Sequence, residues 1–297
     1  MPLRMNALVA WYFVAVWGAG YVATKAGLQY APPFTLLSLR FLFGLLCLVP
    51  VLFFFRARWP ASRAGWGHLA AAGLLMHVVQ LGGSHYAQYL GMSAGVAALV
   101  ISCQPLATAV IAVRFMGERL APRQWLGVFL GLAGVALVVW HKIDIREVSA
   151  ASLVATLIAL TGVTAGTLYQ RVFSPNCDLK AAAAIQFAAA ALAFVPLAIA
   201  VEGFQVRWSA TLAASVVFLV IFTSLLGVSA LYWLTRHGEA SRVTSMMYLP
   251  AVFAVVLELA LFGVAPGAPA TAGIAVTCLG VALTVWKPKW KSSTSLR

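Results

Sequence analysis

Charge is what this sequence has least of. Asp, Glu, Lys and Arg make up 9% of its 297 residues, against roughly 25% in a soluble domain. The acids are scarcer than the bases, seven against twenty. Long polar stretches are missing too: no interval between apolar runs exceeds roughly a dozen residues, which leaves no room for a separate soluble domain. There is no phosphate-binding glycine loop and no ATP-hydrolysing domain, so any transport is driven by a gradient or by exchange. No Ser–His–Asp set and no helix-borne pair of carboxylates occurs, which argues against an enzyme. Cys47, Cys103, Cys177 and Cys278 have neither metal nor redox spacing and read as packing residues. No cofactor and no metal is expected.

What is present is apolar. Hydrophobic residues form 63% of the chain and its mean hydropathy is +0.95, the composition of a polytopic membrane protein. Apolar runs fall at about 7–25, 34–55, 67–90, 94–115, 124–140, 151–171, 181–201, 211–234, 243–263 and 268–286, separated by turn or charge signals such as Pro32-Pro33. With about 20 residues per span, the expectation is an all-α membrane protein of ten transmembrane helices. Ala7–Thr24 is long for a signal core and contains Tyr12, Trp17 and Tyr21, so it reads as helix 1. The net charge of +13 is not a nucleic-acid signal, because the cations sit at helix ends. With the N-terminus inside, fifteen Lys and Arg face the cytoplasm and four (Lys25, Lys142, Arg146, Arg207) face outward, with Arg40 inside helix 2. That bias predicts both termini cytoplasmic.

The two halves of the chain echo each other. A shift of 146 residues without gaps brings Gly20 onto Gly166, Lys25 onto Arg171, Phe41 onto Phe187, Pro50 onto Pro196 and Tyr86 onto Tyr232. Ala94 falls on Ala240, Gly117 on Gly263, Gly134–Leu137 on Gly280–Leu283, both GVAL, and Trp140 on Trp286. An odd number of helices per half puts the second repeat into the membrane from the opposite side. The expected units are therefore 1–146 and 147–297, two inverted five-helix repeats, a pattern of alternating-access transporters.

Trp17–Phe41, which contains WGAGYVATKAGL and PPFTLLSLRF, and Gly117–Val138, GERLAPRQWLGVFLGLAGVALV, resemble the EamA-type branch of the drug/metabolite transporter superfamily. The resemblance covers nearly the whole chain. It implies a ten-helix exporter in a bacterial inner membrane, moving amino acids, their derivatives or other small metabolites. Where the family has Gly-Glu at the end of helix 9, this chain has Gly263-Val264. The wider superfamily also includes sugar-phosphate and nucleotide-sugar exchangers. Such substrates call for clustered cations in the cavity, whereas only Arg40 lies inside. The expected partners are a small-molecule substrate, protons as a candidate coupling ion, and the bilayer, with the protein a monomer or homodimer.

Candidate site residues follow from helical spacing. His77, Gln80, Ser84 and Gln88 project from one face of helix 3, flanked by His85 and Tyr89. In lipid such a stripe either lines a cavity or bonds to a neighbouring helix. His77 is also a candidate protonation site. Trp17, Tyr21 and Thr24 share a face of helix 1, as a binding surface or as packing. Helix 6 offers Thr161, Thr164, Thr167 and Tyr169, helix 8 Tyr232 and Trp233. Pro105 and Pro250 are expected to kink helices 4 and 9, where Gln104, Thr108, Ser245 and Tyr248 either meet substrate or repair freed carbonyls. Of these, Trp17, Tyr21, His77, Gln80, Ser84, Gln88, Gln104, Thr164, Tyr232 and Tyr248 are the expected substrate contacts. Arg40 and Glu258 lie at similar depth, roughly 8–9 Å below the outer border at 1.5 Å per residue. They are candidates for a direct charge pair, with Glu258 alternatively a proton carrier. Lys25 reads as a helix-terminus anchor, and Glu118 with Arg119 as a structural or gating junction.

Overall fold

The computed structural model describes residues 2–115, 122–144, 148–174, 176–230, 249–263 and 267–285. Among them the chain is all helix, with no strand: α1 (Pro2–Gly27), α2 (Pro33–Phe54), α3 (Arg63–Gly73), α4 (Gln80–Tyr89), α5 (Ala94–Ile101), α6 (Gln104–Phe115), α7 (Pro122–Asp144), α8 (Ala150–Phe173), α9 (Leu179–Glu202), α10 (Ala210–Val217), α11 (Leu249–Phe262) and α12 (Ala268–Val285). The described part of each apolar run is helical. Four helices among the described residues are long and apolar enough to cross a membrane: Pro33–Phe54, Ala150–Phe173, Leu179–Glu202 and Ala210–Ala230.

Helix starts are chemically marked. Ser62, Ser93, Ser149 and Ser209 each cap a helix by accepting a backbone N–H, and Asp178 accepts from Lys180 and Ala181. Helix α2 has no such cap of its own, because Pro32 at its N-cap has no side-chain acceptor. Glu202, at the end of α9, fills that role from the other half of the chain. Its carboxylate accepts from Phe34 N at 3.0 Å, Thr35 N at 2.7 Å and Thr35 Oγ1 at 2.7 Å. Gly203 then ends α9 in a left-handed conformation, φ 63°, which a residue without Cβ adopts freely.

The principal packings join one helix from each half: α2 with α9, α4 with α8, α1 with α11, and α7 with α12. Within lipid the hydrophobic effect does not distinguish helix from solvent, so close approach and shape must hold these pairs. At the α7–α12 crossing, a Cβ on Gly280 would run into the backbone of Gly127 and Gly131, and one on Gly134 into Gly273 and Thr277. The repeated GVAL run is therefore a helix crossing. Between α2 and α9 the contact is aromatic, with Phe41 edge-on to Phe187 at 5.3 Å and stacked on Phe194 at 5.9 Å. Such pairs contribute about 0.5–1.5 kcal/mol each beyond their buried area.

Two departures from regular α-helix matter for the site. Leu74–Val79, between α3 and α4, and Phe218–Gly227, after α10, are π-helical. Wide turns of this kind recur at functional sites, where they re-aim side chains. The 146-residue shift lays the first of these segments inside the second. The fourth apolar run is not kinked at Pro105 as expected but interrupted. Helix α5 stops at Ile101, and Pro105 occupies the first turn of α6, where its missing N–H costs nothing. Pro250 is the second described residue of α11, and Ser245 and Tyr248 before it lie outside the described residues.

Candidate functional site

A cavity of about 210 Å³ lies where α1, α2, α4, α8, α9 and the two π-helical segments converge. Helix α1 supplies Trp17 and Tyr21, α2 supplies Arg40, and the first π segment with α4 supplies His77, Gln80, Ser84 and Gln88. The polar stripe of the third apolar run therefore faces the cavity, and so does the aromatic face of the first. The opposite wall comes from the second half, with Gln170, Gln186, Phe187, Thr223 and Ser224 among its residues. Register explains part of this. The shift that aligns the halves places Val163 under Trp17, Gln170 under Thr24, Gln186 under Arg40 and Thr223 under His77, and all eight line the cavity.

The wall is only partly self-satisfied. Arg40 is 7% exposed, and its Nε donates to Ser224 Oγ at 3.0 Å. Gln186 Nε2 donates to Gln170 Oε1 at 2.9 Å, and Thr24 Oγ1 lies 3.3 Å from His85 Nε2. Five buried polar atoms among the described residues have no partner in the protein: His77 Nε2, His85 Nδ1, Gln88 Nε2, Gln88 Oε1 and Thr223 Oγ1. Every one belongs to a residue of this cavity. Buried polar groups are otherwise paired, because an unmade bond costs about 1–3 kcal/mol. Cavity contents can supply partners, above all for Gln88, whose amide nitrogen and oxygen both lack one.

Other expected contacts lie elsewhere. Gln104 Nε2 donates to Thr167 Oγ1 at 3.1 Å, tying α6 to α8. Thr164 is buried and returns its hydroxyl to Leu160 O at 2.7 Å, a packing role. Tyr232 and Tyr248 lie outside the described residues, as do Trp233, Glu118 and Arg119. The direct pair of Arg40 with Glu258 is not formed. Glu258, 3% exposed, instead meets Lys25 Nζ at 2.5 Å and accepts from Ala94 N at 3.1 Å and Gly95 N at 2.8 Å. Its carboxylate is spent on a lysine and on the N-terminus of α5, where the helix dipole favours an anion. Lys25 is thus no free terminus anchor, and its ammonium also stands 4.8 Å from the Phe262 ring centre. Equal depth along the helices could not separate the two cations, because depth says nothing about which helix neighbours which.

Residues absent from the expected contacts were visible in part. Gln186 is the sequence counterpart of Arg40, and Thr223-Ser224 is a hydroxyl pair inside an apolar run. Their location on a π-helical segment has no sequence signature.

The EamA-like transporter family model matches this chain twice, over residues 5–140 and 148–286. The chain belongs to that family. It has the two-repeat EamA architecture, and it is a membrane transporter by family. The uncharacterized transporter YvbV of Bacillus subtilis is 27% identical over 275 residues, 86% of this chain and 83% of that protein. A Salmonella typhimurium protein named a probable amino-acid metabolite efflux pump is 24% identical over 293 residues, 95% of both chains. A solved crystal structure shares the fold, with a TM-score of 0.66 at 20% identity, covering 94% of this chain and 96% of the other.

Proposed function

We propose that this EamA-family protein is a secondary transporter that exports small polar metabolites, amino acids or their derivatives, across a bacterial inner membrane by alternating access. The observation that carries the reading is the central cavity, walled by both repeats and holding every unpartnered buried polar atom among the described residues. A cavity at a repeat interface, beside interrupted helices, is where secondary transporters bind. The efflux-pump name of the Salmonella relative supports the substrate class.

In this reading ten helices span the membrane as two inverted repeats, 1–146 and 147–297, with both termini cytoplasmic. The charge count and the coincident π segments support it. The protein acts as a monomer or homodimer, without catalysis or cofactor, with His77 the candidate site for coupled protons. Carbon-chain contacts come from Trp17, Tyr21 and Phe187, polar contacts from Gln80, Ser84, Gln88 and Thr223. Lys25–Glu258 and Glu202 with the start of α2 tie the two halves together, so in this reading alternating access works against those ties. A sugar-phosphate exchanger is disfavoured, since Arg40 is the one cation among the described lining residues.

Purified protein in liposomes, given labelled amino acids and their acyl derivatives, should show time-dependent uptake above protein-free liposomes. Absence of uptake for every compound sinks the reading. Equal rates with and without a pH gradient would remove proton coupling alone.

A further inference from the structure

Arg40 is a buried charge with no counter-charge among the described residues. The residue is 7% exposed, and the one hydrogen bond its side chain makes among the described residues goes from Nε to a neutral hydroxyl, Ser224 Oγ. Glu258, the acid that its depth suggests as a partner, is already held by Lys25, Ala94 N and Gly95 N. No Asp or Glu occurs among the described residues that line the cavity. A buried cation without a counter-charge is costly, and guanidinium is shaped to take a carboxylate through two parallel N–H bonds.

Among the described lining residues no carboxylate answers a substrate cation. The cavity does offer an amide-sized complement: Gln88 is 7% exposed, and both its carboxamide nitrogen and its oxygen are unpartnered. One side chain presenting a donor and an acceptor together matches the C=O and N–H of a secondary amide. The volume of about 210 Å³ is below the roughly 300–1,000 Å³ of sites for drug-sized ligands, so the ligand is small.

We propose that Arg40 is the carboxylate anchor of the central cavity and that the preferred ligand is a small N-acylated amino acid, a monoanion whose amino group is blocked. Gln88 reads the amide, and Trp17, Tyr21 and Phe187 cover the carbon chain. A free amino acid fits less well, because its ammonium would enter a cavity that is already positive. This rests on the transporter reading and narrows its substrate.

The test uses the full chain in detergent and four probes of shared carbon skeleton: N-acetylleucine, leucine, leucinamide and 4-methylpentanoate. N-acetylleucine should bind at least tenfold more tightly than leucine, and leucinamide should not bind measurably. Arg40→Gln should weaken N-acetylleucine at least 30-fold and Arg40→Lys less. Gln88→Leu should weaken N-acetylleucine but leave 4-methylpentanoate unchanged. Leucine binding as tightly as N-acetylleucine, leucinamide binding at all, or no binding by any probe overturns the proposal. So does N-acetylleucine affinity that survives Arg40→Gln. The comparison among probes needs only the unmodified protein, so it decides even where a variant does not fold. Liposome uptake of the same panel separates the two readings. Transport of leucine but not N-acetylleucine leaves the transporter standing and removes the anion anchor. N-acetylleucine binding without transport of any compound does the reverse.

Discussion

Lys25, in the last turn of α1, and Arg40, inside α2, are two cations of the first repeat, and the protein handles them in opposite ways. Lys25 is closed off: Glu258 reaches it at 2.5 Å, and two backbone N–H groups of α5 complete the shell of that carboxylate. Arg40 is left open, with one hydroxyl for company and a cavity in front of it. The first arrangement is what scaffolding looks like, with every charge answered inside the protein. The second is what a binding site looks like, with the answer left to whatever enters. Within one membrane protein, a charge's surroundings separate these roles better than its depth does.

The sharpest way to break the comparison is Glu258→Leu. It strands Lys25 and removes the acceptor of Ala94 N and Gly95 N at once. Breaking a buried pair from one side costs about 3–5 kcal/mol, and the low end applies because Lys25 is 28% exposed. A loss of about 3 kcal/mol should appear as a large drop in Tm of the detergent-solubilised protein. An unchanged Tm would mean that the pair contributes nothing to the scaffold.

Lys25→Met should cost somewhat less. It leaves Glu258, 3% exposed, without its cation but with two backbone donors at the start of α5, so what disappears is one charged hydrogen bond, about 1.5–3 kcal/mol, together with the Phe262 contact. The double variant should then cost less than the sum of the singles, because both remove the same interaction. Additivity in thermal unfolding would show that Lys25 and Glu258 act separately.

Glu202→Ala tests whether a cross-repeat cap is structural in the same sense. Glu202 serves α2 as Glu258 serves α5, without a cation in the shell. Losing a cap of this kind costs about 1 kcal/mol, a smaller fall in Tm than either change at the Lys25 pair. A drop as large as that of Glu258→Leu would place the weight on the helix caps and not on the ion pair.

The sequence carries the scaffold further than the site, for physical reasons. Helix content and the repeat are written in local composition and in register, and the GVAL run marks a crossing that only glycine permits. Six of the expected contacts, among them Trp17, His77 and Gln88, do line the cavity, because helical periodicity fixes which side chains share a face, and Arg40, expected as half of a charge pair, lines it too. Gln104 and Thr164 do not, since a polar residue in an apolar run has two outlets, substrate or neighbouring helix, and spacing alone does not choose between them. The partner of Glu258 is Lys25 and not the expected Arg40 for a related reason. Lys25 lies in the last turn of α1 and Arg40 in the first half of α2, and α1 rather than α2 is the helix packed against α11. The π-helical segments that carry His77 and Thr223 have no compositional mark at all.

The smallest effect on stability, and the one that separates the two cations most clearly, belongs to Arg40→Gln. Were Arg40 scaffolding, its removal would resemble that of Glu258 and lower Tm. It has no acid partner among the described residues to strand, and the amide can still donate toward Ser224. Removing the charge also relieves the cost of holding a cation away from water. The expected result is a Tm unchanged or raised, alongside lost transport in liposomes, the trade of stability for function seen where a site holds an unanswered group. A fall in Tm comparable to that of Lys25→Met would instead put Arg40 in the scaffold and erase the distinction between the two positions.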